Sequence, residues 1–202
     1  MVGCQKKDIN NRLQTGDILF QDLDCGPLCD AIEAVTEGAG GRDFSHCGLV
    51  IVEQDSIWVI EAIGASVRQT SIAQFFRRSG DTSVISHCLA GRFEDVSEEV
   101  KSRAARWARQ TIGQPYDDLF LPNNGSWYCS ELIAEAYNRA AKDSLFRPAP
   151  MTFKENPSGV YFKVWERYFD SLKSPIPEGI PGFNPGAMSR HSGLRLFLPR
   201  WP

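Results

Sequence analysis

The chain has few histidines, few cysteines and no long apolar run, and each shortage removes a class of function. No stretch of the 202 residues approaches the roughly 18 consecutive apolar residues that a membrane-spanning helix requires, so no transmembrane helix is expected. Basic residues cluster no further than the pairs Lys6-Lys7 and Arg77-Arg78, and the formal net charge is -3. A nucleic-acid backbone is a poor partner for such a surface. Six cysteines are too sparse for a disulfide scaffold, and no pair has the C-x-x-C spacing of zinc or redox motifs. Internal repeats and low-complexity tracts are also missing. What remains is ordinary globular material, 42% hydrophobic and 23% charged, in a length suited to one well-buried domain.

The pattern along the chain predicts strands first and helices later. Gly16 turns into a first strand, Asp17 to Gln21, and a short helix follows from Pro27, with Leu28, Ile32 and Val35 on one side and Gly38 at its end. After a Gly-rich loop, residues 46–53 and 57–63 are β-branched-rich runs separated by Gln54-Asp55-Ser56, which reads as an antiparallel hairpin. Residues 83–89 read as a further strand. The period then changes from two to 3.6: Asp95 or Ser97 caps a helix with Val100, Ala104, Trp107 and Thr111 inward and Gly113 after it. A second helix starts at Cys129, and a third stretch lies around 160–172 in a segment rich in proline and aromatics.

Cys129 stands where the Gly/Pro/Asn-rich loop 113–125 gives way to a helix carrying Leu132, Ile133, Ala136, Tyr137 and Ala140 on one face. A helix N-terminus presents unpaired N–H groups and about half a unit of positive charge, which biases a thiol there toward thiolate. Burial as a structural cysteine is the competing reading. A thiolate nucleophile needs a base, and the chain offers three histidines. His191 lies in a polar, Arg-rich tail and reads as a surface residue, whereas His87 falls inside an apolar strand. His46 stands where the Gly-rich loop enters a strand, a place where functional side chains concentrate. On the partner strand Glu61 interrupts an apolar run near the same end of the hairpin, within diagonal reach of His46. A carboxylate there fixes the imidazole tautomer and supports the imidazolium; a solvent-facing charge at the strand end is the alternative.

Five blocks carry a resemblance: Leu13 to Phe20, Phe44-Ser45-His46-Cys47-Gly48, Val59 to Ala62, Gly113-Gln114-Pro115-Tyr116-Asp117, and Tyr128-Cys129-Ser130-Glu131-Leu132. Their order over roughly residues 13–140 resembles the circularly permuted NlpC-type papain-like hydrolases, the YiiX/YaeF-like group. The resemblance implies an α+β fold, an antiparallel sheet or small barrel packed on helices, in which the histidine strand precedes the cysteine helix. It further implies Cys129 as nucleophile, His46 as general base, Glu61 as the group orienting the imidazole, and Tyr116 near the nucleophile as a candidate oxyanion donor. Such thiol chemistry requires no metal or organic cofactor.

The expected reaction is hydrolysis of an amide through a thioacyl-enzyme, in a cell-wall peptide or an acyl or lipid substrate. An acyltransferase using the same intermediate, and a non-catalytic lipid- or peptidoglycan-binding module, are the competing classes. Met1 to Asp8 resembles the end of a bacterial lipoprotein signal, with Cys4 as the lipidated residue, although the preceding hydrophobic stretch is not in this sequence. That reading implies membrane attachment through Cys4 and a cell-envelope location; otherwise Cys4 is an ordinary terminal residue and the location cytoplasmic. The expected organisation is a linker over 1–12, a catalytic domain over 13–142 and a Pro/aromatic-rich cap over 143–202. In an oxidising compartment Cys25, Cys29, Cys47 and Cys88 are available for bridges that the sequence does not assign.

Overall fold

The computed structural model describes residues 11–23, 25–79 and 87–200; Cys4 and the start of the strand expected over 83–89 lie outside them. One antiparallel sheet organises the chain. It contains β1 (Ile18–Gln21), β2 (His46–Glu53), β3 (Ser56–Ile63), β4 (Ser66–Ser71), β5 (Cys88–Phe93) and β8 (Leu194–Phe197), in the order β4-β3-β2-β1-β5-β8. The helices are α1 (Pro27–Ala34), α2 (Ile72–Arg77), α3 (Glu98–Gln110), α4 (Cys129–Ala140), α5 (Lys163–Leu172) and α6 (Pro185–Ser189). A two-residue ribbon, β6 (Ala149–Pro150) with β7 (Pro181–Gly182), lies between them in the chain.

Strand alternation sorts the side chains onto two faces. Ile18, Phe20, Cys47, Leu49, Ile60 and Ala62 pack on Ala104 and Ala108 of α3 and on Leu132, Ile133 and Tyr137 of α4. The residues between them, Leu19, Val50 and Val59, pack on Ile72, Phe75 and Phe76 of α2. This period-two division is what a sheet buried on both sides requires. A third cluster joins Ala31 of α1 to Trp165 and Phe169 of α5 and to Phe153. The chain thus forms an α+β sandwich in which the strand carrying His46 precedes the helix carrying Cys129.

Two glycines in the sequence blocks have steric reasons. Gly16 has φ +93°, and a Cβ there would lie 2.6 Å from the Lys101 Cβ. Its carbonyl accepts the Tyr137 hydroxyl, tying the entry of β1 to α4. Beside it, Asp17 is held by Arg92 at 2.6 and 2.7 Å and accepts the Gln14 N–H at 2.7 Å. The block around Leu13 to Phe20 is therefore structural. Gly48 faces α2, where a Cβ would fall 2.4 Å from Val59 Cγ1 and 3.2 Å from the Phe75 ring. Its bareness lets α2 settle on the sheet next to His46.

Several expectations change. The helix after Pro27 ends with Val35 as its cap rather than at Gly38. Ser97, not Asp95, caps α3, its hydroxyl accepting the Val100 N–H at 3.3 Å. His87 is not inside a strand but in the turn before β5, because β5 starts at Cys88 and runs on to Phe93. His191 is half-buried: its ring packs edge-on against Phe93 and Phe146, and Nε2 donates to the Leu145 carbonyl at 2.9 Å. The segment 143–202 is more than a cap, since its β8 pairs with β5 and forms one edge of the main sheet. Cys25 and Cys29 are bridged to each other, and Cys47 and Cys88 are free and buried.

Candidate active site

Cys129 is the first residue of α4, with Tyr128 in extended conformation as its cap. The first helical bond here runs from the Leu132 N–H to the Tyr128 carbonyl, so the N–H groups of the opening turn have no partner within the helix. Two side chains at this point also fasten the C-terminal segment. The Tyr128 hydroxyl accepts the Phe183 N–H at 2.9 Å, and the Ser130 hydroxyl donates to the Phe183 carbonyl at 3.0 Å. Residues 182–184 are thereby fixed beside the thiol.

His46 opens β2, and β2 pairs with β3 in a register that sets Leu49 opposite Ile60. Glu61 then lies diagonally from His46 on the α2 face, and His46 Nε2 stands 2.7 Å from Glu61 Oε2. With Nε2 engaged by the carboxylate, Nδ1 is the nitrogen left for Cys129, whose influence raises the pKa of His46. Strand pairing and helix start thus bring together three residues from separate parts of the chain. Both His46 and Glu61 are buried, at 3% and 0% exposure, so Glu61 is not the solvent-facing strand end of the alternative reading.

Glu61 is held by more than the histidine. Thr70 Oγ1 donates to its Oε1 at 2.5 Å, and Arg78 Nη2 reaches both oxygens at 2.5 and 2.7 Å. Thr70 comes from β4 and Arg78 caps α2, neither of which was anticipated. A signal for α2 was present: Ser71 and Gln74 form a reciprocal capping box, the S-x-x-Q pattern that starts a helix. The end of α2 is tied back to β1, because Gln21 Nε2 donates to the Phe75 carbonyl and the Ser79 hydroxyl, both at 2.8 Å. That tie sets Arg78 over Glu61.

The electrostatics follow from these contacts. Burial pushes the Glu61 carboxyl up, but His46 and Arg78 more than offset it and hold it at about 2. Burial likewise pulls His46 down, while Cys129 and then Glu61 raise it to about 9. For Cys129 the largest influence is hydrogen bonding from the Cys47 thiol; burial opposes it, and His46 and the Cys47 backbone reinforce it. The result is a thiol held well below its usual range. Cys47 itself is pushed well above that range, first by burial and then by hydrogen bonding to Cys129 and its charge, and so remains a protonated donor. Cys47, read from sequence as core, is therefore both core and a neighbour of the reactive sulfur. An imidazolium paired electrostatically with a thiolate at the head of a helix can attack a carbonyl carbon and return a proton to a leaving group.

The thiol opens into a cavity of about 320 Å³. Ile32, Val35, Phe120, Met151, Phe153 and Trp165 supply much of its apolar wall, and Arg147 and Arg190 also line it. Phe120 enters with φ +53°, a backbone conformation rare for an aromatic residue, within a loop that Asp117 holds through the N–H groups of Leu119 and Leu121 and the amide of Asn124. Tyr116 also lines the cavity, and its hydroxyl has no hydrogen-bond partner among the described residues. Burial and then the charge of Cys129 push that hydroxyl well above its ordinary range, leaving it a donor. His87, 3.3 Å from Asp22, and His191 are not brought to the thiol's hydrogen-bonding partners. Among the described residues no group of three or more His, Cys, Asp or Glu side chains is placed to hold a metal ion.

Comparison with known proteins places this geometry. The chain is 26% identical over 190 residues to the uncharacterized protein YiiX of Escherichia coli K12, covering 94% of this chain and 88% of that one. A crystal structure described as the metalloprotein yiiX of Escherichia coli O157:H7 superposes with a TM-score of 0.72 at 24% identity, covering 95% of this chain and 99% of that one, a likeness of fold. The family described as permuted papain-like amidase enzyme, YaeF/YiiX, C92 family, matches residues 12–197, and so takes in the C-terminal segment that the sequence blocks did not reach. With 186 of its residues inside that match, the chain belongs to the permuted papain-like amidases.

Proposed function

We propose that this amidase-family protein hydrolyses an amide whose acyl part is apolar, with Cys129 as nucleophile, His46 as acid and base, and Glu61 as the group that orients His46. The carrying observation is the continuity of the reactive pair with an apolar cavity: Cys129 and His46 shift each other toward thiolate and imidazolium, His46 lies 2.7 Å from Glu61, and the same thiol lines the cavity. The Cys129 thiolate adds to the amide carbonyl. His46 gives its proton to the departing nitrogen as the C–N bond breaks, leaving a thioacyl-enzyme. Water then loses a proton to His46 and adds its oxygen to the acyl carbon, which releases the carboxylic acid and restores the ion pair. The oxyanion of each tetrahedral intermediate is within the chemistry of the Cys129 N–H and the Tyr116 hydroxyl.

The apolar wall favours an acyl chain over a cell-wall peptide, whose polar backbone would lose water there without matching partners. The Cys25–Cys29 bridge supports an oxidising compartment, in keeping with a cell-envelope location. The test uses the p-nitroanilide of dodecanoic acid. Release of nitroaniline, with a dodecanoyl adduct trapped on Cys129 by acid quench and located by mass spectrometry, is the expected result. No adduct and no release, from protein whose Cys129 still alkylates below neutral pH, overturns the acyl-amide reading. Product appearing as an N-acyl amine when an amine is added, in preference to free acid, would make the protein an acyltransferase instead.

A further inference from the structure

The cavity beside Cys129 is not uniformly apolar. Arg147 and Arg190 line it together with the aromatic and aliphatic side chains, and among the described residues neither guanidinium has an ion pair or a hydrogen bond. Several arginines of this chain are matched to carboxylates, Arg78 to Glu61, Arg92 to Asp17, Arg109 to Glu53, Arg139 to Glu135 and Arg195 to Glu94; Arg106 and Arg167 are exposed without such a partner among the described residues, but they do not line the cavity, whereas Arg147 and Arg190 do.

The segments that carry the two arginines are fixed to each other. His191 Nε2 donates to the Leu145 carbonyl at 2.9 Å, and the His191 ring packs edge-on against Phe146 with centroids 5.3 Å apart. His191 Nδ1 accepts the Gly193 N–H at 3.0 Å, so both ring nitrogens serve to hold the chain. Arg147 follows Phe146 and Arg190 precedes His191, so the two backbone segments that carry these arginines are tied to each other in the cavity lining. Both arginines are exposed and therefore accessible to an incoming ligand. A guanidinium pair on a partly dry wall is matched by a carboxylate or a phosphate, which it can bind by two-point hydrogen bonds.

We infer that the substrate is an acyl amide of an amine that itself bears an anionic group, the acyl chain lying among Ile32, Val35, Phe120 and Trp165 and the anion at Arg147 and Arg190. This rests on the amidase reading above. Cleavage yields a free acyl carboxylate and an amine that carries the carboxylate or phosphate. Charge complementarity carries the assignment: an apolar wall alone would accept any acyl amide, whereas the unmatched arginines reward one with negative charge on the amine half.

The test is a series of N-dodecanoyl amino acids whose carboxylate stands progressively further from the amide, from glycine to aminohexanoate. Each is paired with its uncharged carboxamide, and N-dodecanoyl phosphoethanolamine is added as the phosphate member. The expected result is a KM for the best anionic member about tenfold or more below that of its uncharged pair. In Arg147→Ala/Arg190→Ala that advantage collapses, with KM changing more than kcat, while Arg167→Ala, an exposed arginine outside the cavity lining, keeps it. A preference for carboxylate points to N-acyl amino acids and one for phosphate to phospholipid-like amides; either upholds the inference. Equal KM for charged and uncharged members, or a preference that survives loss of both arginines, overturns it and leaves the amidase reading intact. Calorimetry of the same compounds on Cys129→Ala separates the two ideas. Arginine-dependent binding of anionic members without turnover by the wild type would sink the amidase reading alone, and binding indifferent to charge would sink the inference.

Discussion

Behind His46 and in front of Cys129 the protein treats polar groups in opposite ways. Behind the imidazole, both oxygens of Glu61 are engaged by Arg78, Thr70 and His46, and all these residues come from one stretch of chain, β2 to the end of α2. In front of the thiol the walls come from α1, the 116–128 loop, residues 146–153, α5 and residues 182–191, and two arginines are left unmatched. A satisfied polar cluster holds one geometry, whereas an apolar wall with free charges waits for a ligand to complete it. The contrast predicts that damage behind His46 lowers kcat and shifts the pH profile, while damage in front changes KM and substrate choice.

The largest effects belong to the reactive pair. Cys129→Ala is expected to abolish turnover, and His46→Ala to lower kcat/KM on the order of a thousandfold or more, because neither step then has an acid or base. Iodoacetamide alkylation across pH gives the independent readout: selective modification of Cys129 below neutral pH in the wild type, lost in His46→Ala. Alkylation that is unchanged in the variant would break the link between the two residues.

The pH window follows from the same pair. His46 has its pKa raised to about 9, so its imidazolium is fully formed below about 6.5 and is lost as pH rises through about 9. Cys129 is depressed, so its thiolate persists well below the pH at which an ordinary thiol protonates and is lost only as pH falls through that lowered value. Glu61, at about 2, stays charged throughout the working range. The expected kcat/KM profile is a broad bell with its alkaline limb near 9. Glu61→Gln should cost on the order of a hundredfold and move that limb downward, since the imidazolium loses its carboxylate. Arg78→Ala acts in the same place with less effect, because Arg78 is about a quarter exposed and water screens part of its charge. A limb that stays near 9 in Glu61→Gln would show that Cys129 alone supports the charge.

Much of the back of the site was legible in the sequence, and the reason is local pattern. The 46–63 hairpin shows β-branched runs with a polar turn, and Cys129 stands at a change from turn chemistry to helical period, so His46, Glu61 and Cys129 carried their positions with them. Thr70 and Arg78 were not legible, because Thr70 owes its place to β4 pairing with β3 and Arg78 to α2 folding back over β3, tertiary contacts that a single capping box does not announce. The cavity was less legible still. Phe120, Phe153 and Trp165 meet from segments far apart in the chain, and their spacing is also that of ordinary core. The placement of β8 at the sheet edge escaped for the same reason, since four residues, Leu194–Phe197, are too short to announce a strand partner a hundred positions earlier.

Cys47 gives a finer test of the boundary between the two regions, because it belongs to the α4-side core and also donates to the reactive sulfur. Cys47→Ala removes the S–H donor but leaves the backbone N–H, so the thiol of Cys129 should titrate higher than in the wild type while remaining below an ordinary cysteine. The alkylation profile reads this directly, and the alkaline limb set by His46 should move far less than in Glu61→Gln. An unchanged acid limb would mean that His46 and the helix start suffice to hold the thiolate.

Glu131 carries the smallest expected effect on activity and tests whether charge near the thiol is controlled as closely in front as behind. It lies two residues after Cys129 in the first turn of α4, is 6% exposed, and its Oε2 has no partner among the described residues. A carboxylate at a helix N-terminus is ordinarily favoured, but here burial, followed by Asp117 and Glu135, pushes the carboxyl up to about 8. Near neutral pH Glu131 is therefore mostly protonated and does not oppose the thiolate. That protonation is costly to the fold: the unfolded chain ionises near 4.3 while the folded chain keeps the proton, so the penalty begins above about 4.3 and grows until about 8. Glu131→Gln keeps the shape and removes the titration. Its kcat/KM should match the wild type below pH 7, and its melting temperature should exceed the wild type's at pH 8 while the two converge near pH 4. A variant that melts lower at pH 8 would mean that Glu131 is charged in the folded protein and stabilises the helix start, and the thiolate would then owe its stability to Cys47 and His46 against a neighbouring negative charge.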